Sequence, residues 1–109
     1  QIHGTVMQAL GYTLFEELTY SANGKVKQND LFAYKIPTIF EKPEFVVEFF
    51  ETDEPTGPLG LKAVGEVAYA AVAPAVNNAL FNASGIYVTS LPITSEKVLN
   101  AFNNFGKQI

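Results

Sequence analysis

Cysteine is absent from the 109 residues. Disulfides, thiolate-bound zinc and iron–sulfur clusters therefore cannot be built from this chain alone. Histidine occurs once, at His3. A single imidazole does not make a histidine-rich metal site, so an exposed side chain near the chain start is the plain expectation. Long apolar runs are also missing. The longest, Val67 to Val76, is about half of what a membrane span needs and contains Pro74. No basic segment followed by an apolar run marks a signal peptide. The expectation is a soluble cytoplasmic protein that does not engage a membrane. Positive charge is scarce: 7 Lys+Arg stand against 11 Asp+Glu, for a net charge of -4 and a pI near 4.8. The lysines are scattered from Lys25 to Lys107. Nucleic-acid binders carry a basic patch, so nucleic acid is not an expected partner.

What remains is rich in core-forming residues. The chain is 48% hydrophobic, with 9 Phe and 5 Tyr, which suffices for one domain spanning residues 1–109 and excludes disorder. It opens on Gln1, inside a helix-like pattern, and is expected to be cut from something longer.

Residues Gly4 to Leu18 carry Met7, Leu10, Leu14 and Leu18 at helical spacing, which predicts one apolar stripe. Gly4, Gln8 and Gly11 lie on a neighbouring face, where small residues admit a close backbone or a ligand. Two glycines cost about 1 kcal/mol each in a helix interior, so tight packing is expected to compensate. Glu16 to Tyr20 and Lys25 to Gln28 flank Ser21-Ala22-Asn23-Gly24, a hairpin signal. Asn29 to Lys42 reads as irregular, with Pro37 holding Ile36 extended. Glu44 to Glu51 predicts a strand with Phe45, Val47 and Phe49 on one face and Val46 and Phe50 on the other, both faces covered.

Thr52 to Gly60 is a loop broken by Pro55, Gly57, Pro58 and Gly60. Ala63 to Ala83 is Ala-rich and helical in character, with Pro74 expected to kink or divide it and Gly85 to cap it. Ile86 to Ser90 is a short extended segment. Thr94 or Ser95 caps a last helix with Val98, Leu99 and Phe102 on its apolar face. The order predicts an α+β fold, with helices packed on a small mixed β-sheet.

Chemistry concentrates at Gly60-Leu61-Lys62-Ala63-Val64-Gly65-Glu66, where a Gly/Pro-rich loop enters a helix start. Gly65 permits close approach of a ligand, and a helix start offers unpaired N–H groups. An apolar setting from Val64, Val67 and Tyr69 would push the Glu66 carboxyl toward the range of a working base. The simpler reading is that Glu66 only complements the helix dipole.

Lys62-Ala63-Val64-Gly65-Glu66 resembles the K-[AG]-x-G-E motif of the molybdenum hydroxylases, the xanthine dehydrogenase/aldehyde oxidase family. Five more segments resemble that family in the same order. They are Val6-Met7-Gln8-Ala9-Leu10-Gly11, Glu16-Glu17-Leu18-Thr19-Tyr20, Tyr34-Lys35-Ile36-Pro37-Thr38, Ala73-Pro74-Ala75-Val76-Asn77-Asn78-Ala79 and Leu91-Pro92-Ile93-Thr94. Each is weak alone; six in family order carry the resemblance. Two departures are Val67-Ala68, where many members have Pro-Pro, and Gln8-Ala9, where the family has Gln-Gly.

The resemblance implies the C-terminal part of a molybdenum cofactor-binding domain. It implies Glu66 as catalytic base, with Gln8, Gly65 and Val64 against the molybdenum–molybdopterin cofactor and no protein ligand to the metal. It further implies oxidation of an N-heterocycle or aldehyde with water as oxygen source. Iron–sulfur clusters and FAD are then expected only in partner domains or electron-transfer subunits. The rest of the large subunit would complete the site, the piece alone would be inactive, and its cut faces would favour self-association. Tyr34, Lys35, Glu16 and Glu17 are expected in structural roles, and Lys62 as a structural or solvated residue near the site, with a phosphate or substrate ligand as its alternative reading. Two rival readings are a small non-catalytic binding or scaffolding domain, and a hydrolase pairing Glu66 with Asp53 or Glu54.

Overall fold

The first apolar pattern folds as α1, Ile2–Leu14, in a computed structural model that describes residues 1–105. The helix stops before the expected Leu18. Phe15 leaves helical geometry, and the amides of Phe15 and Glu16 both donate to the Gly11 carbonyl, at 2.9 and 2.8 Å. The chain thereby folds back, and the Glu16 carboxylate and the Pro37 ring close over Gly11.

The buried face of α1 is not the expected leucine stripe. Ala9, Gly11 and Thr13 are buried, whereas Met7, Leu10 and Leu14 are half-buried and Leu18 is exposed. Small side chains let α1 pack closely against α2, Val72–Ser84. The buried Thr13 hydroxyl donates to the Ala9 carbonyl at 2.6 Å, so no polar atom is stranded there.

The expected helix over Ala63 to Ala83 is divided. A single 3-10 turn, Glu66–Ala68, is followed by a bend, and α2 begins only at Val72. Pro74 is the third residue of α2, where the backbone has no intrahelical acceptor for an amide. It therefore sits in the first turn of α2 and does not kink the helix. Gly85 closes α2 as expected: it takes φ 74° and its amide donates to Phe81 O at 2.7 Å.

Residues 86–93 then run back over the helices. The Asn77 side-chain amide bonds both polar groups of Val88, donating to its carbonyl at 3.0 Å and accepting from its amide at 3.1 Å. The Ile93 amide donates to the Thr13 carbonyl at 2.6 Å. Among the described residues Ala9, Val72, Ile86, Val88, Pro92 and Ile93 are buried and apolar, so the core sits where α1, α2 and this returning segment meet. The last helix, α3, spans Ser95–Phe105. Of the two candidate caps Thr94 is the one used, its hydroxyl accepting from the Lys97 amide at 3.3 Å.

The expected small mixed sheet does not form among the described residues. The hairpin is present at its tip: Ser21 and Gly24 close the turn, Gly24 has φ 79°, and one antiparallel bridge joins Tyr20 to Val26. The bridge does not propagate, because the Gln28 side chain rather than a backbone group takes the Thr19 amide, at 2.7 Å. Glu44 to Glu51 is not a strand here. Among the described residues its backbone makes no hydrogen bond to another backbone group. A strand exists only against a partner edge, and the described residues supply none. The expectation that both faces are covered also fails. Phe45 and Val47 are half-buried against the start of α1, where His3 stacks on Phe45 with centroids 4.4 Å apart, while Val46 and Phe50 are 89% and 92% exposed.

The chain is open for its size. Its radius of gyration is 18.0 Å, against about 13 Å for a compact domain of this length. It exposes 8502 Å², against about 5,900 Å² for a compact 11.9 kDa monomer.

Candidate functional site

Gln8 lies on α1 and is exposed. Its side chain bonds to no group among the described residues, and beside Gly4, one turn earlier, a Cβ would meet nothing within 4 Å. The face of α1 that carries Gln8 is therefore open toward its N-terminal end. Gly11, three residues on, is the opposite case. A Cβ there would strike the Glu16 carboxylate and come within 2.9 Å of the Pro37 ring. Gly11 thus serves internal packing, the compensation expected for its helix cost, whereas Gly4 remains free for an outside group.

Glu66 opens the 3-10 turn directly after Gly65. Its backbone carbonyl accepts from the Tyr69 amide at 3.0 Å, and its carboxylate takes no hydrogen bond from the described residues. Gly65 is half-exposed with open space where a side chain would stand. The tight apolar setting expected around Glu66 is not built by the described residues: Val64 and Val67 are 42% and 61% exposed. The side chains read as its walls face outward, and any desolvation of Glu66 has to come from what covers them.

Two tyrosines connect the separate elements. Tyr12 on α1 and Tyr69 after the 3-10 turn lie with ring centroids 5.9 Å apart, and α1 packs against that turn. Gln8 stands one α-helical turn before Tyr12, and Glu66 stands three residues before Tyr69, the spacing at which side chains eclipse in a 3-10 turn. Gln8 and Glu66 therefore lie on the same sides of their elements as the rings that meet. Tyr12 was not singled out in the sequence. Its four-residue spacing from Gln8 was the available signal, but only the fold supplies its partner.

Several of the remaining sequence candidates are engaged within the chain. The Tyr34 hydroxyl donates to Glu16 at 2.7 Å. That bond, then burial and the nearby carboxylate charge, hold the Tyr34 phenol above its ordinary pKa. Lys35 lies over the Phe32 ring and Lys62 contacts the Thr52 hydroxyl. Glu54 accepts from the Thr56 hydroxyl and amide, which lowers its pKa, so its carboxylate is committed to its own turn. His3 is exposed and stacked on Phe45. Among the described residues no group of three or more His, Asp or Glu is placed to hold a metal ion, and no helix is long and apolar enough to cross a membrane.

This donor set suits an organic cofactor that brings its own metal ligands. Gln8 offers an uncommitted amide, Glu66 an uncommitted carboxylate, and Gly4 and Gly65 leave room for a close approach.

Comparison with known proteins points the same way. Residues 1–43, which include Gln8, match the family model described as the molybdopterin cofactor-binding domain. The chain is 35% identical over 107 residues to the xanthine dehydrogenase molybdenum-binding subunit of Escherichia coli O157:H7, covering 97% of this chain and 14% of that protein. It is 38% identical over 105 residues to the nicotine 6-hydroxylase large subunit of Paenarthrobacter nicotinovorans, covering 93% and 13%. The fold superposes on the crystal structure of quinoline 2-oxidoreductase from Pseudomonas putida 86 with a TM-score of 0.81 and 33% identity, covering 94% of this chain and 13% of that one. The chain thus spans about one seventh of the length of these relatives. On these grounds it belongs to the xanthine dehydrogenase/aldehyde oxidase family of molybdenum hydroxylases, as part of a molybdopterin-binding large subunit.

Proposed function

We propose that residues 1–109 form part of one molybdopterin-binding domain and supply the catalytic base, Glu66, of a hydroxylase that oxidises an N-heterocycle or an aldehyde with oxygen taken from water. The observation that carries this reading is the packing of α1 on the Glu66–Ala68 turn, which brings the elements of Gln8 and Glu66 together while neither side chain is engaged by the described residues. The relatives named for xanthine, nicotine and quinoline chemistry favour a nitrogen heterocycle.

In this account the Gln8 amide donates to or accepts from the polar edge of the pterin. Gly65, with no side chain, and Val64, with a small apolar one, form the wall beside it. The molybdenum–molybdopterin group supplies the two-electron oxidation when bound. Glu66 accepts, at a carboxylate oxygen, the proton released as water-derived oxygen attacks the substrate carbon, and passes it to solvent later in the cycle. Because Val64 and Val67 are open in this chain, the surrounding large subunit has to exclude water from Glu66. The piece alone is accordingly inactive. Iron–sulfur clusters and FAD in partner domains or subunits carry the electrons away, in the cytoplasm.

The test is Glu66→Gln in the complete enzyme. General-base loss predicts a fall in kcat of about 10²- to 10⁴-fold, with bound molybdenum and pterin unchanged. Gln8→Ala is expected to lower cofactor content instead. A Glu66→Gln enzyme that turns over at the parent rate removes the proposal.

A further inference from the structure

We propose that Glu44–Glu51 becomes a β-strand only in the assembled protein, by adding to the edge of a sheet supplied by the rest of the same large-subunit polypeptide. The proposal rests on the reading of this chain as part of such a subunit, but not on the role of Glu66.

The segment Glu44-Phe45-Val46-Val47-Glu48-Phe49-Phe50-Glu51 has strand composition throughout, with aromatic and β-branched residues at five of its positions. Burial along its first half alternates with the period of a strand: Phe45 and Val47 are half-buried, Glu44, Val46 and Glu48 are exposed, and the alternation stops at Phe49, which is 72% exposed. One face is seated on α1 through the His3–Phe45 stack, with Ile2, Val47, Phe49 and Val64 around an apolar hollow of about 410 Å³. The other face carries Val46 and Phe50 bare to solvent. Among the described residues the backbone from 43 to 53, outside any turn, bonds to no other backbone group. A half-seated, two-sided apolar segment with a free row of amides and carbonyls is a template for strand addition.

Two occupants compete, a second copy of this chain and the remainder of the large subunit. Magnitude and charge both favour the second. The excess surface over a compact monomer is roughly 2,600 Å², well beyond the ~800 Å² that one partner buries in a standard interface. A single dimer contact would leave most of it uncovered. The relatives that match this chain are about seven times longer, so polypeptide sufficient to enclose it exists in proteins of this kind. A second copy would also bring like charge. An antiparallel self-pair centred on Val47 and Glu48 sets Glu44 opposite Glu51 on both sides, which is destabilising. The partner strand is therefore expected to present apolar side chains to Val46 and Phe50, and basic or neutral ones to the three glutamates.

Hydrogen–deuterium exchange on the complete enzyme tests this without turnover. Alternate amides of residues 45–50, those facing the sheet edge, are expected to exchange at least about 100-fold more slowly than an unstructured chain. A photoreactive phenylalanine analogue placed at position 50 is expected to cross-link to another segment of the same large-subunit polypeptide. Exchange at the unstructured rate overturns the proposal. So does a cross-link to the 44–51 segment of a second copy, or to a different subunit. Both readouts are independent of catalysis: a Glu66→Gln enzyme of unchanged activity would remove the functional proposal and leave this one to stand or fall by exchange and cross-linking.

Discussion

At the scale of single residues, the motif positions divide into those that the fold uses and those it leaves uncommitted. Gly11, Glu16 and Tyr34 form one unit. The small residue admits a carboxylate, and the carboxylate accepts the phenol at 2.7 Å. A Gly11→Ala change would gain about 1 kcal/mol of helix propensity. It would also drive a methyl into the Glu16 carboxylate and to 2.9 Å from a rigid proline ring, and overpacking of that kind costs about 1–3 kcal/mol. The expected result is a net loss of stability in denaturant unfolding, smaller when combined with Glu16→Ala. The pH behaviour of the same unit follows from the raised Tyr34 pKa. A phenol whose pKa is higher folded than unfolded contributes stability below its unfolded value, and the contribution is lost as pH rises through the folded value. Ultraviolet titration of the phenolate should show Tyr34 ionising above the ordinary phenol range, and Glu16→Gln should bring it down. Early ionisation of Tyr34 would contradict the assignment. Glu41 has the opposite sign. Its bonds to the Thr38 hydroxyl and amide lower its pKa, so the Thr38–Glu41 turn is held above the ordinary carboxylate range and released as pH falls through the lowered value.

At the scale of elements, hydrogen-bond accounting separates what the sequence reveals from what it does not. The caps were legible. Gly85 ends α2 and Thr94 starts α3 because each answers a local backbone need, a positive φ or an orphan amide. The hairpin tip was legible for the same reason at Gly24. The turn that opens at Glu66 directly after Gly65 was legible, because a Gly/Pro-rich loop runs into it. What was not legible is everything set by a partner. The Met7–Leu10–Leu14 stripe reads as a core face, but the residues of α1 that are buried are Ala9, Gly11 and Thr13. Glu44 to Glu51 reads as a strand, yet a ladder needs a second edge. The Tyr12–Tyr69 contact that brings the elements of Gln8 and Glu66 together links residues far apart in the chain. Asn77 belongs to the same class. The motif around it suggests only a helix, and its work is to satisfy Val88 on a segment with no neighbouring strand. Asn77→Leu should destabilise by about 1–3 kcal/mol, the cost of two unpaired backbone groups. Faster amide exchange at Val88 is the specific sign. Wild-type exchange there would show that the side chain is not the clamp.

At the scale of the whole molecule, the chain has the surface of a part. Apolar residues face outward along 44–50, around Val64 and Val67, and at Leu99 and Phe102 on α3. The walls of the proposed site are among them, so the environment that would make Glu66 a base is completed only when those faces are covered. This links assembly to chemistry. Variants that weaken docking, such as Val46→Asp, should lower both cofactor content and activity, whereas Glu66→Gln should lower activity alone. The most direct measurement is the rate at which substrate reduces the bound cofactor of the Glu66→Gln enzyme in a single rapid-mixing turnover, before any electron leaves for a partner domain. The account requires that step to slow by about 10²- to 10⁴-fold, with full cofactor loading and normal reduction by a chemical reductant. Reduction by substrate at the parent rate would contradict it.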